Sequence, residues 1–223
     1  TVQGESLRGT EIRPASGTGH QVKTVTVTSG GTGGVAGTFN YVHANATSGS
    51  GVAASFVANI VTDGSSTPTV TIYHGGTGFV VGDTITIPGT SITGNPSQVG
   101  SDLVLTVASL EDNNASNLFL VNNQTNIVQM SFKGLTGTPG AGATGKAAVV
   151  SLDPSGSITT SSPYIQNCSS VNGTATGVQI DGLIHTTGNK SILANDYTQI
   201  NSDGIGVHAL GGGRGEMVSV FTY

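Results

Sequence analysis

Twelve carboxylates, five histidines and one cysteine, Cys168, carry whatever acid–base, nucleophilic or metal chemistry this 223-residue chain possesses. Glycosidic cleavage asks for two acids facing each other, about 5 Å apart for retention and wider for inversion. The best-spaced pair is Asp153 and Asp181, which a repeat of about 29 residues would offset by one position. Each precedes a turn former, Pro154 or Gly182, and Asp203 precedes Gly204, so turn-making competes with catalysis at all three. Arg214 and Glu216, in GGGRGEM, could hold an anionic sugar, although a surface ion pair beside a flexible turn accounts for them more simply.

The histidines, His20, His43, His74, His185 and His208, form no H-x-H or HExxH pair, so no metal site and no cofactor is expected. Cys168 in IQNCSS reads as a small buried side chain without an identifiable base beside it. SGGTGG and GGTGF lack the Lys-Ser/Thr and the helix of a phosphate loop and read as turns. Four aromatics, Phe39, Tyr41, Tyr73 and Phe79, could stack on sugar rings, against the competing account of core packing or hairpin pairing.

The elements that must position these residues are strands and turns. Gly (35 residues), Thr, Ser, Asn and Val abound, charged residues make up 9%, and helix formers are scarce. The hydrophobic 35% falls in short alternating runs that can build a core. A net charge of -5 with 7 Lys and Arg leaves no basic stripe, which sets aside nucleic-acid and anionic-membrane roles. No apolar stretch approaches a membrane span, and one cysteine cannot make an internal disulfide. A chain opening on Thr1 without Met reads as a processed product or part of a longer one.

From about Asn117, apolar segments recur at a nearly constant interval: NLFLVNN, AAVVSL, GVQIDG and GVHALGG, with Phe119, Val149, Val178 and Val207 as equivalents. A second family follows, IVQMSF, YIQNCSSV, SILANDYTQI and EMVSVF, matching Ile165 with Ile192 and Val218. Two interleaved families with nearly one period imply stacked coils, so the expected fold is all-β, with a right-handed parallel β-helix over 112–223. That register sets Asp181 between Leu152 and Leu210, Asp196 over Ser169, and His208 over Gln179. KGLTGTPGAGATGK reads as a loop bulging from one coil. Residues 20–111 alternate with period two between Gly, Asp-Gly and Pro signals, predicting a small antiparallel β module that precedes the coils or is inserted after a coil segment at 1–19.

GGTGFVVGDTITIPGTSITG followed by SDLVLTVASL resembles a module of structural proteins from tailed phages, notably those of marine cyanobacteria. LFLVNNQTNIVQMSFKGLTG and SPYIQNCSSVNG, followed by GVQIDG, resemble β-helical virion proteins of the same phages. The resemblance implies a virion component of tail-fibre, tailspike or baseplate type, commonly a homotrimer, partnered by other virion proteins and a host surface glycan. Its place would be the virion, assembled in the host cytoplasm and then extracellular. The alternatives are a tailspike-like polysaccharide depolymerase, with Asp153 and Asp181 as its acids, and a cellular surface filament or adhesin.

Overall fold

The computed structural model describes every residue except 95–98, 143–144, 186 and 202, and all but the side chain of Asn172. Its described strands, in chain order, are β1 (Val2–Gln3), β2 (Glu11–Ile12), β3 (Thr18–Ser29), β4 (Gly37–His43), β5 (Ala46–Thr47), β6 (Phe56–Thr62), β7 (Thr69–Gly75), β8 (Thr84–Ile87) and β9 (Leu103–Asp112). They continue with β10 (Phe119–Val121), β11 (Asn126–Val128), β12 (Ser131–Lys133), β13 (Ala148–Leu152), β14 (Tyr164–Gly173), β15 (Thr176–Asp181), β16 (Ser191–Asn201), β17 (Val207–Leu210) and β18 (Arg214–Thr222). Three short 3-10 turns are the only helical elements among the described residues. The protein is all-β with several sheets, some of them parallel. It divides into two units, one made of residues 1–17, 112–141 and 145–223, the other built on Thr18–Glu111.

In the first unit every strand pairing is parallel. One sheet runs β10-β13-β15-β17; in the other, β14 pairs on one side with the collinear β11 and β12 and on the other with β16, which pairs with β18. Because adjacent rows are parallel, each strand must return to the start of the next by a crossover, and the chain does so by alternating between the two sheets. Inward side chains line up across the rows. Ile127 faces Ile165, then Ala194 and Met217; Cys168 faces Tyr197 and Val220; Phe132 faces Ser170, Gln199 and Thr222. Phe119 of the first sheet meets Phe132 of the second edge to face, ring centroids 5.5 Å apart. Full burial of a large apolar side chain contributes about 1.5–3 kcal/mol, so the apolar members of these files, among them Ile127, Ile165, Phe132 and Tyr197, hold the rows together.

Three expected registers are corrected. Phe119 pairs with Val150, not Val149, and Val150 then pairs with Val178. Ile165 pairs with Ala194, not Ile192, and Ala194 with Met217, not Val218. Asp196 therefore does not stand over Ser169: Gln166 pairs with Asn195 and Cys168 with Tyr197, which leaves Asp196 level with Asn167. The expected pairings Val178 with Val207, Gln179 with His208 and Asp181 with Leu210 are present. The segment expected to bulge, 133–146, closes on itself through a bridge between Thr138 and Lys146, and its residues 143–144 lie outside the described residues.

The second unit is laid out by period two. Ile85 and Ile87 of β8, with Leu103, Leu105 and Val107 of β9, alternate inward while their neighbours face outward. Two sheets result, β3-β9-β8-β5 and the antiparallel β4-β6-β7, sharing a core of Phe56, Ile60, Phe79, Ile85 and Leu105.

Candidate functional site

The groups with chemical potential in the first unit collect where one sheet hands the chain to the other. Three connections follow β13, β15 and β17, and they are tied row to row. Asn189 N donates to Ile158 O (2.8 Å), Arg214 N donates to Lys190 O (2.7 Å), and Gly182 N donates to Leu210 O (3.0 Å), while within one connection Lys190 Nζ donates to Gly182 O (2.6 Å). Residues distant in sequence are thus set beside one another by the parallel register alone.

Asp153 and Asp181 belong to this corner. Between β13 and β15 the register step, Val150 to Val178 and Ser151 to Gln179, is 28 residues. Extended past the end of β13, that step sets Asp153 level with Asp181 and removes the expected one-position offset. Their Oδ1 atoms are committed locally, however, and Asp153 Oδ2 accepts from Asn122 Nδ2 (3.5 Å) on the neighbouring row. Asp153 Oδ1 accepts from Ser155 N (2.9 Å) and Ser155 Oγ (2.7 Å), while Asp181 Oδ1 accepts from Leu183 N (2.9 Å). Both are aspartate turns, in which a carboxylate mimics a backbone carbonyl to close the chain. Asp181 is also only 3% exposed, which withholds it from a polymeric substrate.

His185 is fully buried in the same corner, its Nδ1 3.0 Å from Asp153 O and its Nε2 without a partner. The imidazole ties one connection to the next; it does not activate a carboxylate. His208 Nδ1 lies 3.1 Å from Gln179 Oε1. Nδ1 of His20 and of His43 lies within hydrogen-bond distance of a backbone carbonyl, Nδ1 of His74 lies 3.0 Å from Ser55 O and 3.1 Å from Gly76 N, and no cluster of three metal-ligating residues occurs among the described residues. Cys168 is buried in the core, where desolvation pushes its thiol up, away from the thiolate a nucleophile needs.

Arg214 and Glu216 do not form the expected ion pair. The ion pairs among the described residues join Glu11 to Arg13 and Lys133, and Lys23 to Glu111. Arg214 instead borders an open cleft of about 230 Å³ together with Lys190, a residue that sequence reading passed over. No local motif marks Lys190; only the pairing of Ser191 with Arg214 brings it there.

In the second unit, the four aromatic candidates separate. Phe79 is completely buried, edge-on to Phe56, and presents no face to a sugar; it is a core residue. Phe39 is half-buried and packs on the same core. Tyr41 and Tyr73 come together, ring centroids 4.8 Å apart and nearly perpendicular. Two β-bulges make this contact: the register slips between Phe39 and Val42 in β4, and opposite Val57 and Ala58 in β7, leaving both tyrosines out of step with β6. Bulges re-aim side chains in this way. Tyr41 takes φ of 58°, and its N–H is held by Asn59 Oδ1 at 2.9 Å. The partly exposed tyrosine pair is the remaining aromatic platform of the four.

No helix among the described residues is long and apolar enough to cross a membrane. No protein-family model, curated protein or solved structure matches the chain.

Proposed function

We propose that the first unit is a right-handed parallel β-helix and that the chain is a virion structural protein of tail-fibre, tailspike or baseplate type, giving a rigid scaffold for assembly or host attachment. The observation that carries the coil reading is a ladder of left-handed residues. Gln129, Asn167, Asp196 and Ser219 all have φ between 49° and 58°, and the pairing of Val128, Gln166, Asn195 and Val218 sets them level. A non-glycine residue pays roughly 1–2 kcal/mol for this conformation, so four in line mark a corner imposed at the same height in four successive rows. Parallel rows that bend together stiffen an axis, with local contacts and few charges.

Self-association is supported by an outward apolar strip, Ile200 (49% exposed), Phe221 (54%) and Tyr223 (76%), on neighbouring strands β16 and β18 and the residue after β18. A homotrimer joined to other virion proteins, with the Tyr41–Tyr73 pair offered to a host surface glycan, is the assembly this reading favours, and its place is the virion. Light scattering on the purified chain across a concentration series tests it: a trimer is expected, and a strict monomer at high concentration would overturn the trimeric fibre.

One observation favours a second reading, a tailspike-like depolymerase: Asp153 and Asp181 stand level in adjacent rows. Incubation with host capsule or lipopolysaccharide separates the two. Sugar release that disappears in a folded Asp181→Asn variant would replace the structural reading.

A further inference from the structure

Of the seven cationic side chains, Arg13 and Lys133 share Glu11, Lys23 meets Glu111, and Arg8 is in no ion pair among the described residues. Lys146 Nζ donates to Pro139 O. Lys190 and Arg214 have no carboxylate partner among the described residues, yet both line the same cleft of about 230 Å³, bordered also by Asn189, Ser191, Gly188 and Gly212. In a chain of net charge -5, two unneutralised cations on one concave surface focus a local positive field.

The cleft's construction suits an anion. Arg214 is exposed and its backbone is anchored, N–H to Lys190 O, so the guanidinium fork starts from a fixed point. Lys190 is half-buried and spends one donor on Gly182 O at 2.6 Å, which holds its stem and leaves two N–H groups free. Gly212 has φ of 81°, and a Cβ there would meet nothing within 4 Å, so no side chain fills the space above the turn. The carboxylates on these elements are Asp181, 3% exposed and turned to Leu183 N, and Glu216, exposed two residues beyond Arg214. Glu216 tempers the field without closing the cleft.

We infer that the Lys190–Arg214 cleft is a binding site for an anionic sugar, its carboxylate or sulfate taken by the Arg214 fork with Lys190 as the second charge. Guanidinium matches a planar or tetrahedral oxyanion through paired N–H donors, and the ammonium adds an adjustable point charge. The volume admits one sugar-sized group, so a polymer would be read one charged residue at a time. This site belongs to the first unit and the tyrosine pair to the second, and it goes beyond the scaffold reading; it can fail while the trimer stands.

The experiment is a titration of the full chain followed by ¹H–¹⁵N spectra, at constant ionic strength, with sodium glucuronate, sodium sulfate and neutral methyl glucoside. Saturable shifts confined to the amides near Gly212, Arg214 and Lys190 are expected with an anion and not with methyl glucoside. Glucuronate alone identifies a sugar carboxylate; sulfate as well identifies the shared oxyanion chemistry. Arg214→Gln is expected to weaken binding about tenfold, the scale of one charge-assisted contact, with recovery in Arg214→Lys. Glu216→Gln should tighten it about twofold, as for an exposed charge pair. Arg8→Gln, elsewhere on the unit, should change nothing. Absence of saturation with both anions, equal shifts with methyl glucoside, or binding undiminished in a folded Arg214→Gln, Lys190→Gln double variant would each overturn the assignment.

Discussion

Replacing Gly177 with alanine tests how tightly β15 packs against the side chain of Gln199 in β16. A Cβ at that position would fall 1.6 Å from Gln199 Oε1, 2.5 Å from its Cδ and 2.6 Å from Gly206 O, far inside any real contact. Gln199 is 1% exposed and neither of its amide atoms has a hydrogen-bond partner. Gln199 borders a recess of about 120 Å³ shared with Asn201, Thr222 and Tyr223, into which its side chain can shift, whereas Gly206 O is backbone and cannot swing aside. Overpacking of this kind costs about 1–3 kcal/mol. Gln199→Ala removes the nearer obstacle and also a buried, unpaired amide whose desolvation costs about 1–3 kcal/mol, offset by lost packing, so alone it should be close to neutral. The two substitutions should therefore couple: the double variant is expected to be about 1 kcal/mol or more stabler than the sum of the singles, with the Gly206 contact keeping part of the penalty. Urea denaturation of the four proteins reads this as midpoints at unchanged slope. Gly177→Ala at wild-type stability, or a cycle additive within about 0.5 kcal/mol, would refute the close approach of Gln199 to the Gly177 backbone.

Asp181→Asn keeps an oxygen to accept from Leu183 N and should cost under about 1 kcal/mol, whereas Asp181→Ala breaks the turn and should cost about 1–3 kcal/mol; thermal melts of both check this. Asp63 accepts from Ser65 N (2.9 Å), Ser66 N (2.7 Å) and Ser66 Oγ (2.7 Å), and the Ser66 hydroxyl first, then these amides, holds its carboxyl well below the usual aspartate range. A depressed folded value means the stabilisation is present above about pH 4 and lost as pH falls, so the melting temperature should drop less between pH 5 and pH 2.5 in Asp63→Ala than in the parent. Cys168, buried with its thiol pushed up by desolvation, should react with a disulfide reagent about a hundredfold or more slower in the folded chain than in denaturant; a fast folded-state reaction would contradict its place in the core.

The composition and the period-two runs were enough to identify an all-β chain. Alternation such as that of Ile85 and Ile87, or of Leu103 and Leu105, reports directly which side meets a core, because successive strand residues point to opposite faces. The repeat was legible where rows match residue for residue, as in Val178 with Val207 and Asp181 with Leu210. The aspartates could likewise be read as turn formers from Pro154 and Gly182 beside them, and they are.

Tertiary structure decided the phase. All five residues of β13, Ala148–Leu152, are buried, so no outward polar residue distinguishes Val149 from Val150, and the hydrogen-bond ladder chose Val150. In β16, Ile192 and Ala194 both point inward, and the larger side chain drew the sequence match although Ala194 holds the level place. The left-handed corner at Gln129, Asn167, Asp196 and Ser219 has no shared residue type and no glycine, so nothing in composition announces it. Local pattern reports which face a residue takes; which residues stand level depends on connection lengths that only pairing across rows resolves. That is why Asp153 came level with Asp181, and why Lys190 met Arg214, without either being written in the neighbouring sequence.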